Sequence, residues 1–301
     1  MDKIAAVNRM QAYIATHLGE EITLETLGNA AGYSKFHAAR MFRELTGQTP
    51  FSYIRALRLT HAAQALRDSG GQVIDAALAR GFDSHDGFTR AFLRQFGITP
   101  QKYRGETPPV RYFVPYPVTH PHILDAKEQA PMTTEKVSRT VTVTPVERPA
   151  RKLVFLRNTA ATDYFSACEE VGCEWEGLYN SIPEKFDTAA GGLLPKSLIK
   201  PGTSGHAFFV EVPLSYNKPI PEGYEIAELP PCAMLYFNGA PYENEDDFRV
   251  AIGIVDDAIE RYPFERFGWK KSDIAPVLGM GASAAGGARK AVPVKRNKKA
   301  Q

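Results

Sequence analysis

The sequence predicts a multi-domain chain: an all-α N-terminal domain holding two helix-turn-helix units, then an α+β C-terminal domain with duplicated β-α-β-β units. Three observations carry this expectation. Up to Arg104 the apolar residues recur at helical spacing, whereas from Thr140 they fall into short β-branched and aromatic runs separated by turn residues. Between the two textures lies GETPPVRYFVPYPVTHP, from Gly105 to Pro121, too proline-rich for helix and expected to be a surface-crossing connector partly ordered by Tyr112, Phe113 and Tyr116. Within the first region, two segments repeat one order of helix, glycine turn, capped helix and Gly-x-x-Pro ending. The expected boundaries are 1–106 for the helical domain, 107–139 for a proline-rich linker, 140–296 for the α+β domain and 297–301 for a basic tail.

The helical domain follows in order. Val7, Met10, Ile14 and Leu18 give an amphipathic first helix that Gly19 ends. Thr23 can cap a short helix presenting Leu24 and Leu27, Gly32 makes the turn, and Ser34 caps a helix with Phe36, Met41, Phe42 and Leu45. FSYIRALRLTHAAQAL, from Phe51 to Leu66, is a linking helix with Arg55 and Arg58 among its charges. The second unit opens with a helix from Val73 to Arg80, turns at Gly81, and is capped by Ser84 before Phe88, Ala91, Phe92 and Phe96. Gly32-Tyr33-Ser34 corresponds to Gly81-Phe82 and Ser84, and Gly47-Gln48-Thr49-Pro50 to Gly97-Ile98-Thr99-Pro100. Two such units joined by one helix can place a helix in each of two successive major-groove turns, roughly 34 Å apart.

Composition sets the outer limits. At 301 residues, 44% hydrophobic and 23% charged, the chain has the make-up of an ordinary globular protein with two cores. No apolar run is long enough for a bilayer and Met1 to Glu20 has no signal-peptide core, so the expected location is the cytoplasm and no membrane partner is expected. Cys168, Cys173 and Cys232 have neither a disulfide framework nor zinc spacing; no metal or cofactor is expected. His37 and His85 have no Ser, Cys or carboxylate partner at a diagnostic spacing, so the chain is not expected to be an enzyme. The net charge of +2 is no argument for nucleic acid, and that case rests on pattern.

Two segments carry a family resemblance. GYSKFHAARMFRELTGQTPFSYIRALRL and ALARGFDSHDGFTRAFLRQFGITPQKYR resemble the paired recognition segments of the AraC/XylS transcription regulators, the likeness covering Met10 to Arg104. The resemblance implies a sequence-specific regulator whose two tethered units bind double-stranded promoter DNA. Residue by residue, it puts Lys35, Phe36, Ala39 and Arg40 of the first unit against the groove. In the second unit it puts Ser84, His85, Asp86, Gly87 and Arg90 there. Arg40 and Arg90 could pair with guanine edges or clamp phosphate. The chain departs from the family at Gly28, where alanine is usual, and at Asp86, which would repel phosphate. With His85, Asp86 and Gly87 leading it, the second helix is expected to orient on the backbone, leaving sequence choice to Lys35 and Arg40.

After the linker, a strand from Val141 leads through the Arg148-Pro149 turn into a strand over Lys152 to Arg157. A helix near Asp163 to Leu178 follows, with strands at Gly192 to Leu198 and Ala207 to Val212. The pattern recurs with strands at Tyr224 to Leu229 and Pro231 to Asn238, a helix from Asp246 to Arg261, and strands near Ile274 to Leu278 and Lys290 to Val294. ERPARKLVFLRNTA and ELPPCAMLYFNGAPYE are similar, which points to an internal duplication. GMGASAAGG, Gly279 to Gly287, reads as a flexible loop, since it has neither Walker nor Rossmann spacing.

YEIAELPPCAMLYFNGAPYE, with its following helix and the closing AVPV strand, resembles a GyrI-like effector-binding domain of the Rob and BmrR type. The resemblance implies a small-molecule pocket between the halves, for which Trp175, Tyr179, Phe209, Glu211, Tyr236 and Trp269 are the available lining. Such a regulator would answer to a small-molecule effector and contact RNA polymerase. Where that family carries a glutamate before its closing dipeptide, this chain has Arg289-Lys290-Ala291-Val292-Pro293. Two alternatives therefore stand beside the effector pocket: a protein-interaction module without ligand, and a small-molecule hydrolase.

Overall fold

The structure is a computed structural model, and it describes residues 2–69, 82, 84–118, 137–172 and 175–297. Contacts divide the chain into two compact units, Met1–Glu128 and Gln129–Gln301. No helix among the described residues is long and apolar enough to cross a membrane.

In the first unit, α1 (Lys3–Thr16) is capped by Asp2, whose carboxylate accepts from Ile4 N, and buries Ala6, Val7, Met10 and Ile14. Helix α2 (Leu24–Ala31) starts in a reciprocal capping box between Thr23 and Thr26 and ends at Gly32, whose φ of 75° is the left-handed conformation the turn needs. Then come α3 (Lys35–Thr46), α4 (Pro50–Ser69), α5 (His85–Phe96) and α6 (Pro100–Glu106). Ser84 accepts from Gly87 N and Thr99 from Lys102 N, so α5 and α6 each begin on a side-chain cap. The expected Val73 to Arg80 helix and its Gly81 turn lie outside the described residues.

Helix α4 serves two cores in succession. Its N-terminal half gives Tyr53, Ile54 and Leu57 to the core built by α1, α2 and α3. The C-terminal half gives Leu59, Ala62, Ala63 and Leu66 to a second core around Phe88, Phe92 and Tyr103. The same two cores are crossed by residues 107–118, which the sequence placed in the linker. Val110 and Tyr112 are buried in the second core, while Phe113 and Val118 pack on the first. Hydrogen bonds fix this strap: Phe113 N donates to Thr60 Oγ1 at 2.9 Å, Gln11 Nε2 to the Tyr116 carbonyl at 3.0 Å, and Asn8 exchanges bonds of 2.9 and 2.8 Å with Val118. Proline excludes helix here, but it does not exclude an extended chain lying in a groove, and Pro109, Val110 and Tyr112 are buried in it. Residues 119–136 of the expected linker lie outside the described residues.

The second unit contains β1 (Val141–Arg148), β2 (Arg151–Arg157), α7 (Tyr164–Val171), α8 (Trp175–Asn180), β3 (Ala190–Leu193), β4 (His206–Pro213), β5 (Tyr224–Leu229) and β6 (Cys232–Gly239). It closes with α9 (Phe248–Arg261), β7 (Trp269–Lys271), β8 (Val277–Ser283) and β9 (Gly287–Arg296). Every ladder is antiparallel, in the order β1-β6-β9-β8-β3-β4-β2-β5, with β7 added to β9. Strands β1 and β2 lie near opposite ends of that order, yet Arg148 and Arg151 are only three residues apart. Three residues span at most about 11 Å. The sheet is therefore bent until its two ends meet.

That bend defines the faces. The inner face is one core drawn from both halves, including Leu153, Phe155 and Phe209 with Met234, Tyr236 and Leu278. The outer face splits in two. On one side α7 and α8 cover Val154, Phe208 and Val210; on the other α9 covers Leu235, Phe237 and Val292.

Three expectations change in detail. The helix expected over Asp163 to Leu178 is α7 followed separately by α8, since α7 stops at Gly172 with φ 75°. The strand expected to reach Leu198 is β3, shorter because Pro195 leads into a single 3-10 turn at Lys196–Leu198. GMGASAAGG is not a loop: it is most of β8 and the tight connection into β9, with a register shift between Gly279 and Ala282. Its glycines suit a close strand approach. A Cβ on Gly279 would stand 2.6 Å from the Gly191 carbonyl oxygen, and one on Gly192 would stand 2.0 Å from that of Val277.

Candidate nucleic-acid interface and sheet cleft

Helix α3 presents its first turn to solvent. Phe36 is 73% exposed, too open to belong to the core, while Ala38, Met41 and Phe42 on the opposite side are buried. Lys35 and Arg40 are exposed and Ala39 is half-buried on the same face. Lys35 Nζ pairs with Glu25 Oε2 at 3.0 Å, so it must exchange this partner before it can serve a phosphate. Arg40 makes no ion pair or hydrogen bond among the described residues. The close approach that brings α3 to α2 depends on Gly28: a Cβ there would lie 2.9 Å from Tyr33 O and 3.0 Å from Lys35 N. The departure at Gly28 is thus a packing requirement of this turn.

Helix α5 repeats the arrangement. Phe88 and Phe92 are wholly buried, and Ser84, His85, Asp86 and Arg90 are exposed with Gly87 half-buried among them. Ser84 Oγ is engaged as the cap, accepting from Gly87 N at 3.2 Å. His85 Nδ1 stands 3.8 Å from Asp86 Oδ1, so the leading edge of this helix carries a local negative charge beside an imidazole. Arg90 has no partner among the described residues.

Sequence reasoning missed what joins this helix to α4. A groove of about 470 Å³ runs between them, floored by Phe51, Ile54, Phe82 and Ala91 and rimmed by Arg55, Arg58, Arg90 and Arg94. Arg58 is held by the Leu18 and Glu20 carbonyls, at 3.0 and 2.6 Å. Arg55, Arg90 and Arg94 have no counter-ion among the described residues. A second hollow of about 640 Å³ beside α3 is lined by Ala39, Arg40, Arg43 and Phe51. Arg55 and Arg58 were visible as linking-helix charges. The signal that would have placed them is their helical spacing of three, matched by the spacings of three and four among Ser84, Gly87, Arg90 and Arg94 on the facing helix. The geometry offers fixed cations beside exposed polar helix ends and suits a polyanion.

In the second unit the predicted pocket residues separate. Phe209, Glu211 and Tyr236 do share the inner face of the sheet. Trp175 and Tyr179 lie behind β4 on its outer face: Trp175 stacks on Phe208 with ring centroids 4.0 Å apart, and Tyr179 donates to the Phe208 carbonyl at 2.8 Å. Trp269 belongs to the other outer core, under the Arg296 guanidinium at 4.0 Å from its ring. Strand alternation explains the division, since Phe208 and Phe209 necessarily point to opposite faces.

Polar groups at the bend were not anticipated. Arg151 is completely buried; its Nη2 meets Glu211 Oε1 at 2.6 Å and its Nη1 donates to the Pro230 carbonyl at 3.1 Å. Arg148 Nη2 donates to both Asp187 Oδ2 and the Tyr236 hydroxyl, and Tyr236 in turn donates to Asp187 Oδ2 at 2.6 Å. The Arg148 guanidinium also lies over the Phe186 and Tyr236 rings, at 5.2 and 5.4 Å. Burial and then the bond to Asp187 push the Tyr236 phenol well above its usual range. Glu211 is therefore already matched by arginine. Residues of the Arg148-Pro149-Ala150-Arg151 turn do this work, and nothing in a turn signature announces it.

Comparison with known proteins fits the first unit. A family model described as a helix-turn-helix domain matches residues 27–106. The chain is 40% identical over 119 residues to the Right origin-binding protein of Escherichia coli, a match covering 37% of this chain and 41% of that protein. It thus spans well under half the length of that relative. It is also 40% identical over 93 residues to the Regulatory protein SoxS of Escherichia coli, covering 31% of this chain and 87% of SoxS. A probable AraC family transcriptional regulator from Rhodopseudomonas palustris aligns with a TM-score of 0.32 and 29% identity, over 34% of this chain and 95% of that structure. The first of these relatives is named as an origin-binding protein and SoxS as a regulatory protein. With 87% of SoxS covered and a helix-turn-helix model matching residues 27–106, this chain belongs to the AraC/XylS family of helix-turn-helix transcription regulators.

Proposed function

We propose that the chain is a sequence-specific DNA-binding transcription regulator that engages two successive major-groove segments of promoter DNA with α3 and α5. The observation that carries this is the matched construction of the two helices: α3 buries Met41 and Phe42 and α5 buries Phe88 and Phe92 on one side, and each exposes an arginine without counter-ion among the described residues, Arg40 or Arg90, on the other. Lys35, Phe36, Ala39 and Arg40 form the first contact face. Ser84, His85, Asp86, Gly87 and Arg90 form the second. Ser84 acts through its cap, and Arg55 and Arg94 add phosphate clamps at the groove. The test is recovery of bound fragments from fragmented genomic DNA, followed by anisotropy titration of one fragment and its shuffled counterpart across a salt series. Equal affinity for both sequences at every salt concentration refutes sequence-specific binding.

We further propose that the second unit is a duplicated, GyrI-like module answering to a small-molecule effector through its inner face, with contact to RNA polymerase as the output. Support comes from the repeated order strand, helix, strand, strand, in which β2, β4 and β3 on one side of the sheet correspond to β6, β9 and β8 on the other. Phe209, Glu211 and Tyr236 remain the proposed lining, with Trp175, Tyr179 and Trp269 supporting it from behind. A protein-contact module is the second reading, favoured by the Arg151–Glu211 pair that neutralises the inner face's buried acid.

A further inference from the structure

The inner face of the bent sheet contains a carboxylate held as a ligand would be held. Asp187 lies in the loop between α8 and β3, outside any regular element, yet its Oδ2 receives the Tyr236 hydroxyl and Arg148 Nη2 together. Both donors belong to other strands: Arg148 ends β1, and Tyr236 is in β6. A third cation stands beside the same loop, where Arg289 Nη2 donates to Thr188 Oγ1 at 3.2 Å. Arg289 has the parity of Ala291 on β9 and so faces the same side. Around the bend the inner face thus carries Arg148, Arg151 and Arg289 against Asp187 and Glu211, one positive charge in excess, while Arg157 and Glu225 form a separate pair on β2 and β5; Glu211 is already taken by Arg151. Asp187's side chain keeps 24% of its surface in solvent, whereas that of Glu211 keeps 2%. Asp187 can leave; Glu211 cannot do so without orphaning a buried guanidinium.

We propose that Arg148 and Tyr236 form a binding site for small carboxylates, in which Asp187 is the resident occupant that an external carboxylate displaces. A guanidinium and a phenol directed at one oxygen make a charge-assisted pair of donors. Tyr236 belongs to the apolar core that also holds Phe209, Met234 and Leu278, so the carbon skeleton of the ligand would sit against the edge of an apolar cluster. The ligand class is anionic because the acid that would serve a cation is already paired and the surplus charge is positive. Phe186, whose ring lies against Arg148, precedes Asp187 directly, so displacement of Asp187 is communicated to the loop leading into β3. This assignment rests on the effector-module reading of the second unit.

The test is calorimetric titration of the full chain with benzoate, and with benzamidine as the cation of the same shape. Removing the internal competitor releases the fraction of sites it occupies, so D187A is expected to bind benzoate about ten-fold more tightly than wild type. Y236F, which keeps the ring and removes one donor, is expected to bind more weakly than wild type. Benzamidine is expected to give no binding. Equal or weaker benzoate binding by D187A overturns the proposal, as does binding of benzamidine in place of benzoate, or no binding to wild type and D187A. Failure of the effector reading shows separately: benzoate binds as stated, supporting the site, while promoter affinity does not change with benzoate.

Discussion

Replacing Arg40 and Arg90 together with alanine tests the docking reading at both helices. Neither side chain has an ion pair or hydrogen bond among the described residues, and both are exposed. Their removal therefore leaves no buried group unsatisfied, and the fold should lose at most a few tenths of a kcal/mol. Whatever is lost must appear in DNA binding. An arginine that reads a base is worth about 1–3 kcal/mol, and the two residues stand on separate helices with no shared partner. The double variant should then bind its promoter fragment between about 30-fold and about 10⁴-fold more weakly, at 1.4 kcal/mol per decade. Anisotropy across a salt series separates the two modes. A lost phosphate contact lowers the slope of log K against log salt by about 0.9 for each residue and affects shuffled DNA equally. A lost base contact instead weakens only the matched fragment. The expectation from Asp86 beside His85 is that Arg90 behaves in the first way and Arg40 in the second. Unchanged affinity in R40A/R90A, with an unchanged melting temperature, would refute the docking.

Three further outcomes follow from the packing and the charges. Gly28→Ala puts a methyl group within 2.9 Å of a carbonyl oxygen and 3.0 Å of an amide nitrogen of the next turn, so it should cost about 1–3 kcal/mol in chemical denaturation; no loss would mean that the turn yields freely. Tyr112→Ala removes a buried ring whose hydroxyl meets that of Tyr103 at 2.9 Å; it should cost about 3–5 kcal/mol in the first unit's transition and leave the second unit's unchanged. Glu225 is held at about 2 by the Arg157 fork, with Lys200 assisting, against about 4.3 for a free glutamate. A depressed folded value makes this contribution present above about pH 4.3 and lost as pH falls toward 2. Thermal melts should accordingly show a deficit for E225Q at neutral pH that closes over that interval, and a constant deficit would remove ionisation as its cause.

The helical unit was legible wherever local chemistry decides conformation. Gly32, Gly47 and Gly97 sit at left-handed φ values near 75°, and Thr23, Ser84 and Thr99 cap the helices that follow. Each signal lies within four residues of the feature it specifies. The strap was legible only in part: Tyr112, Phe113 and Tyr116 mark residues able to order the connector, but proline content reports only what the backbone cannot do. Val110 and Tyr112 have the period of a half-buried strand, but the grooves that receive them come from α4 and α5, far away in sequence. Pocket residues failed for a related reason. Aromatic character places Trp175 and Phe209 equally well, and only the parity of β4, fixed by Phe208 against Trp175, assigns them to opposite faces. Arg148 and Arg151 were hidden by their turn, since their partners are supplied by a sheet whose closure no local pattern encodes.

A net charge of +2 argued for nothing at the level of composition, and the structure explains why. In the sheet unit, cations are consumed internally: Arg148 by Asp187, Arg151 by Glu211, Arg157 and Lys200 by Glu225, and Lys290 by Asp256. In the helical unit Arg40, Arg55, Arg90 and Arg94 carry no such partner among the described residues, and three of them rim one groove. Screening at physiological salt confines a charge's influence to about 8 Å. A polyanion laid on α3 and α5 in the proposed docking therefore meets this unpaired set. The same accounting makes the sheet unit sensitive in another way. Its paired charges form small networks, so a small molecule that replaces a single partner, such as the 24% exposed Asp187, leaves the rest of its network to adjust. Unpaired arginines thus gather on the helical unit, where the proposed DNA contact lies, and paired ones at the bend of the sheet unit, where the proposed carboxylate exchange would take place.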